Sequence, residues 1–160
     1  MGAPPPLRLA VRRAPVREPG GSGSAIEVEL SLTVPSDLAL VEEAVDLVAR
    51  HCLTGALSPR RVRFNLRTAL AEALGNAIIH GNREDVTRAV QIRAELKTAE
   101  IRVHITDEGA GFRPSDLPDP TMTSYRDSPA GRGLFLMAAL VDHVAFNERG
   151  NSVCLTLRRE

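Results

Sequence analysis

The stretch Arg60-Arg61-Val62-Arg63-Phe64-Asn65-Leu66-Arg67-Thr68-Ala69-Leu70-Ala71-Glu72-Ala73-Leu74-Gly75-Asn76-Ala77-Ile78-Ile79-His80 decides how the rest of the chain is read. Val62, Leu66, Leu70, Leu74, Ala77 and Ile78 recur at helical intervals, which predicts one long helix, apolar over most of its surface. Across it runs a polar line, Asn65, Thr68, Glu72 and Asn76, at a spacing that shares a face. A buried polar group without a partner costs about 1–3 kcal/mol. These side chains therefore pair with neighbouring backbone or face a ligand, and the helix alone does not choose between the two.

Upstream, Ile26, Val28, Leu30, Leu32 and Val34 alternate with Glu27, Glu29, Ser31 and Thr33, the period of a half-buried strand that Pro35 stops. Ser36 is placed to cap a helix carrying Leu38, Val41, Val45 and Val48. Downstream, two alternating runs, Val90 to Leu96 and Ile101 to Ile105, are joined by Lys97-Thr98-Ala99-Glu100 and predict a hairpin. Residues 109–131 read as irregular, with four prolines. A helix from about Arg132 to Asp142 follows, then a strand near Val144 to Phe146, a turn at 147–151 and a strand through Val153, Leu155 and Leu157. Residues 1–24, rich in proline, arginine and glycine, are expected to be a disordered tail, and residues 25–160 one domain. Mostly antiparallel strands with helices gathered on one face make an α+β, two-layer architecture with a mixed sheet.

The bulk properties exclude several classes. Lys plus Arg and Asp plus Glu both number 20, so the formal net charge is zero, against a general nucleic-acid binder. Lys97 is the sole lysine and sits in no glycine loop, so neither a P-loop nor a protein-kinase-type lysine is present. The four histidines lack the close pairs of a zinc site. No apolar run reaches the ~20 residues of a membrane span, and none resembles a signal peptide. Cys52 and Cys154 lie far apart and are expected to be reduced thiols of a cytoplasmic protein.

Two further segments can carry chemistry. Asp107-Glu108-Gly109-Ala110-Gly111 directly follows a strand, with glycines that let backbone approach a flat ligand. Gly131-Arg132-Gly133 opens the next helix, where free amides form an anion site. Each is weak alone. Glu-x-x-x-Asn on a helix, Asp-x-Gly-x-Gly at a strand end and Gly-x-Gly before a helix occur here in order, and together they are informative.

This arrangement resembles the three nucleotide boxes of the gyrase, heat-shock chaperone, histidine kinase and MutL (GHKL) ATPase superfamily, with its Bergerat-type α/β sandwich. The resemblance covers nearly all of Ile26 to Arg159. The run Ala71-Glu72-Ala73-Leu74-Gly75-Asn76-Ala77-Ile78-Ile79-His80-Gly81 is most similar to the first box of the bacterial anti-sigma-factor serine/threonine kinase group. The likeness implies an ATP and Mg²⁺ site, with Asn76 as the metal ligand and Glu72 as the general base. It implies that Asp107 accepts a hydrogen bond from the exocyclic amine of adenine, with Gly109 and Gly111 clearing space beside it. Gly131, Arg132 and Gly133 would close over the phosphates, Arg126 would reach them from the intervening loop, and His80 and Leu134 would complete the nucleotide contacts. The superfamily's usual threonine after the last turn is missing from Gly150-Asn151-Ser152-Val153, where Asn151 or Ser152 stands in its place. Ser152 is retained as a candidate contact. The loop from Asn82 to Thr87 is also unusual for the group.

The group implies a kinase that phosphorylates an antagonist (STAS-like) protein and sequesters a sigma factor, commonly as a homodimer. The alternative is a nucleotide-gated module that regulates a partner without phosphotransfer. An isolated histidine-kinase catalytic domain is a third reading, disfavoured because no phospho-acceptor hairpin precedes the helix. None of these needs direct nucleic-acid or membrane contact.

Overall fold

The computed structural model describes residues 7–13, 26–53, 58–97, 99–111 and 129–158. Six strands, β1 Arg8–Arg13, β2 Ile26–Pro35, β3 Ala89–Lys97, β4 Glu100–Thr106, β5 His143–Phe146 and β6 Ser152–Arg158, form one sheet in the order β1-β2-β3-β4-β6-β5. Every described pairing is antiparallel, so the parallel component of a mixed sheet is not among these strands. Alternation sends Leu30, Leu32, Ile92, Ala94, Ile101, Val103, Ile105, Leu155 and Leu157 to one face, where they are fully or almost fully buried. The opposite face carries Glu95, almost buried, with Arg93, Lys97 and His104 around its carboxylate.

Among the described residues three α-helices cover the apolar face: α1 Val41–Cys52, α2 Arg67–Asn76 and α3 Pro129–Leu140. α2 is central and touches both of the others. Helical turns of wider winding precede it at Arg61–Leu66 and follow it at Ala77–Gly81, so the predicted long helix runs unbroken. Val62, Leu66, Leu70, Leu74 and Ile78 are completely buried along it. The polar line Asn65, Thr68, Glu72 and Asn76 is only half-buried, at the border of that surface. At the far end of the layer Arg61 clasps two elements: its guanidinium donates to the Asp142 carboxylate (2.7 Å) and to the Arg158 carbonyl (2.6 Å).

Four expectations change. The helix cap is Asp37, whose carboxylate accepts from the Ala39 amide, because Ser36 is buried and its hydroxyl donates to the Arg88 carbonyl. Leu38 lies in the short 3₁₀ turn Leu38–Leu40 and is exposed, since the α-helical stripe starts only at Ala44. The last helix begins at Pro129, not Arg132; proline's fixed φ and missing N–H suit a first helical turn. Within the expected tail, Arg8–Arg13 is an edge strand paired with β2, because Leu9-Ala10-Val11 alternates between the proline clusters. Leu9 and Val11 share the face of Leu32 and Leu30 yet remain exposed, so β1 extends the sheet and adds little core.

Candidate nucleotide site

Where α2 ends, the wider winding turns the chain: the Asn82 amide donates to the Ala77 carbonyl five residues back (2.8 Å). Such turns concentrate at functional sites. Beside this bend β4 ends at Thr106, and the next residues cross beneath it. Gly81 and Asp107 touch so closely that a β-carbon at 81 would overlap the Asp107 carboxyl. A β-carbon at 109 would overlap the Gly81 carbonyl, and one at 111 the Arg149 carbonyl, where φ is also +78°. Glycine is required here by close backbone approach.

These segments wall a cavity of about 900 Å³, a size typical of small-molecule sites. Asn76 and His80 line it from the helix end, Asp107, Gly109 and Gly111 from the strand end, Leu134 from α3 and Ser152 from β6. Ile105, Met137, Phe146 and Val153 add apolar surface, suited to a flat ring. Asp107 is half-buried. Burial pushes its carboxyl above the ordinary aspartate range, against the pull of the Gly109 amide (2.8 Å) and the Arg149 guanidinium. A carboxylate so placed is a strong acceptor for an amine. The Asp107 backbone is pinned by Asn151, whose carbonyl accepts from the Asp107 amide (2.9 Å) and whose side-chain amide donates to the Asp107 carbonyl (3.2 Å). The Ser152 hydroxyl lies 2.7 Å from that of Thr106.

Not every expected residue reaches the cavity wall. Glu72 stands one turn back from Asn76, against α3: a β-carbon at Gly133 would sit 3.0 Å from its Oε2 and 3.3 Å from the Asn76 amide nitrogen. Because α3 starts at Pro129, Gly131, Arg132 and Gly133 belong to its body, and Arg132 and Gly133 are not among the described residues that line the cavity. Arg126 lies outside the described residues. Sequence reasoning missed Asn82, Arg83, Asp85, Arg88, Phe146 and Arg149 on the wall. For those in 82–88 the signal was their position directly after the helix; Phe146 and Arg149 flank the last turn, before Gly150-Asn151-Ser152.

A family model described as the histidine kinase-like ATPase domain matches residues 34–157. The chain belongs to the histidine kinase-like ATPase family. In this family's frame the relatives include an anti-sigma F factor of Clostridium beijerinckii, 32% identical over 124 residues, covering 74% of this chain and 85% of that protein. The serine-protein kinase RsbW of Bacillus subtilis is 34% identical over 120 residues, 68% of this chain and 75% of the relative. An anti-sigma F factor of Shouchella clausii is 40% identical over 76 residues, 45% of this chain, and the match spans about half (51%) of that relative's length. Within the histidine kinase-like ATPases, the chain groups with anti-sigma factors and their serine kinases. Among the described residues no helix is long and apolar enough to cross a membrane.

Proposed function

We propose that this chain is an ATP·Mg-dependent protein serine/threonine kinase that phosphorylates an antagonist protein and holds a sigma factor or similar regulator. The observation that carries this reading is Asp107, a half-buried carboxylate laid on Gly81 beside Gly109, in one cavity with Asn76. Asp107 would accept the adenine amine, a bond worth about 1.5–3 kcal/mol because one partner is charged. Guanine offers a carbonyl at that point and is disfavoured. The side-chain oxygen of Asn76 suits Mg²⁺, which takes few protein oxygens and keeps the rest for phosphates and water. Bound there, the ion would supply charge neutralisation to the phosphates. Gly109 and Gly111 leave room for the base and ribose, Ser152 or Asn151 would take the place of the missing threonine, and His80 and Leu134 would flank the nucleotide. In this reading the N-terminal turns of α3, with Gly131, Arg132 and Gly133, would serve the anionic end, and Arg126, outside the described residues, would be a further phosphate contact. Glu72 would take the proton of the attacking serine hydroxyl.

The antagonist is of STAS-like type, the protein acts in the cytoplasm, and it pairs as a homodimer. The phosphoryl group adds about −1.5 to −2 charge to the antagonist surface and releases it. One observation favours a second reading, a nucleotide-gated module without phosphotransfer: Glu72 abuts Gly133 and does not line the cavity.

The test combines melting with transfer. At 100 times its dissociation constant ATP·Mg is expected to stabilise the protein by about 2.7 kcal/mol, and GTP by much less. Incubation with γ-labelled ATP and the antagonist proteins encoded nearby is expected to label one of them on serine or threonine. A nucleotide-indifferent melting point rejects the site; ATP binding without labelling of any antagonist selects the module.

The same carboxylate sets a pH dependence. Its raised pKa means the folded protein takes up this proton more readily than the unfolded chain. The ionised form therefore costs stability above the folded pKa, and that cost is relieved as pH falls through it. Adenine recognition runs the other way, since it needs the ionised acceptor. Adenosine affinity, measured by calorimetry between pH 7 and pH 4, is expected to weaken with a midpoint above the ordinary value of about 3.9. Asp107→Asn should lose that component of the profile. An identical profile in the variant assigns the titration to another group.

A further inference from the structure

Asn82 is completely buried, in a loop that otherwise lies at the surface. Each polar group of its side chain is engaged. Oδ1 accepts the backbone amide of Glu108 (2.8 Å). Nδ2 donates to the Ser36 hydroxyl oxygen (2.9 Å) and to the Ala89 carbonyl (3.1 Å). The Ser36 proton is itself given to the Arg88 carbonyl (2.7 Å), so Ser36 can only accept from Asn82. One carboxamide thus ties four segments: the turn that follows the Ala77–Gly81 winding, the exit of β2, the start of β3 and the residue directly after Asp107. Two acceptors on one side and one donor on the other fit an amide in a single orientation. A carboxylate would face two acceptors, and an apolar side chain would leave the Glu108 amide unpaired.

Around this hub the geometry is tight and strained. Arg83 and Glu84, the next two residues, adopt left-handed backbone with φ of 53° and 56°, unfavourable for side chains that are not glycine. Such conformations persist where the surroundings over-determine them, and they cluster at functional sites. The Glu84 amide donates to the Ile78 carbonyl (2.8 Å), and the Glu108 carboxylate accepts the Ala89 amide (2.6 Å), closing the loop on both sides. Arg83, Asp85 and Arg88 of this loop reach the cavity wall.

We propose that Asn82 is a positioning residue for base selection: by holding the Glu108 amide it fixes the Asp107 carboxylate on Gly81, aimed at the adenine amine. The inference rests on the reading of the cavity as an ATP site. Asn82 borders the cavity, but the selectivity assigned to it here is exerted through Asp107. It predicts that the peptide at 107–108 is set before nucleotide arrives.

Three measurements test it. In the wild-type protein without nucleotide, hydrogen exchange at the Glu108 amide is expected to be as slow as in β4; free exchange there overturns the proposal without any variant. The ratio of ATP to GTP dissociation constants is then compared in wild type, Asn82→Ala and Ser36→Ala, at a temperature where each melting curve shows the folded state. Asn82→Ala is expected to bind ATP at least about tenfold more weakly, with the ratio moving towards one. Ser36→Ala keeps the Glu108 contact and is expected to lower the melting point while leaving the ratio unchanged. A purely structural Asn82 would lower the melting point and leave the ratio alone, and that result sinks the proposal. Should Asn82→Ala not fold, the exchange rate and Asn82→Ser decide by the same two readouts. Wild-type protein with no affinity for ATP rejects the ATP reading itself and this inference with it; normal ATP selectivity with an unaltered ratio in the variant rejects only the inference.

Discussion

Glu72→Gln is expected to reduce phosphotransfer to the antagonist by about 10²–10⁴-fold while leaving the ATP-induced rise in melting point intact. A positioned general base contributes a factor of that order, equivalent to roughly 3–5 kcal/mol of barrier. Glutamine keeps the shape of glutamate, so the side chain can still pack against Gly133 and beside Asn76, where the contacts are tight. What it loses is the capacity to accept a proton from serine. Alanine would be a poorer probe, because it also opens space between α2 and α3. The measurement is single-turnover transfer of γ-labelled phosphate, with the melting shift recorded on the same samples. Undiminished transfer assigns the base elsewhere. Loss of both transfer and melting shift makes Glu72 a binding residue. The result also bears on the packing of Glu72 away from the cavity wall: a base there must serve a hydroxyl arriving along the α2–α3 boundary.

The elements that carry the candidate site were legible because local patterns fix them. Alternation placed Ile105 in a buried strand and hence Asp107 at its end, and helical spacing put Glu72 and Asn76 one turn apart on one helix. The details that failed depend on contacts between distant segments. Ser36 and Asp37 are both good caps by composition; Asn82, 46 positions away, takes the Ser36 side chain into a buried hydrogen bond and leaves the cap to Asp37. Gly131-Arg132-Gly133 reads as a helix entry whose free amides, next to glycines, make an anion site. Gly133 lies inside α3 for a different reason, the space occupied by Glu72 and Asn76. Arg8–Arg13 was hidden by the prolines and glycines on either side, and its pairing with β2 is visible only in the sheet. Asn82 carried no local signal of its role, since its partners Ser36, Ala89 and Glu108 come from three other segments.

The same one-carbon change is expected to have opposite effects at two glycines, one on the helix beside the cavity and one in its wall. Gly75 lies on α2 between Glu72 and Asn76, and a β-carbon there meets nothing within 4 Å. Gly75→Ala removes only the entropic penalty of glycine in a helix, so it should stabilise the protein by about 0.5–1 kcal/mol. In a chain of this size that is a rise of roughly 2–4 °C per kcal/mol in melting point. Gly109 is buried, and a β-carbon there would overlap the Gly81 carbonyl and stand 2.9 Å from Asp107 Oδ1. Neither partner is a flexible side-chain tip: one is backbone, and the other is the carboxylate that the Gly109 amide itself holds at 2.8 Å. Gly109→Ala must therefore part the two segments, at a cost of about 1–3 kcal/mol for overpacking. It should also displace Asp107, abolishing the difference between ATP and GTP in the melting assay. Gly75→Ala leaves that difference untouched, so propensity and site geometry separate cleanly. A Gly109→Ala protein that melts and selects ATP like the wild type would mean that 81 and 109 do not meet, and the proposed recognition of adenine by Asp107 would lose the contact it rests on.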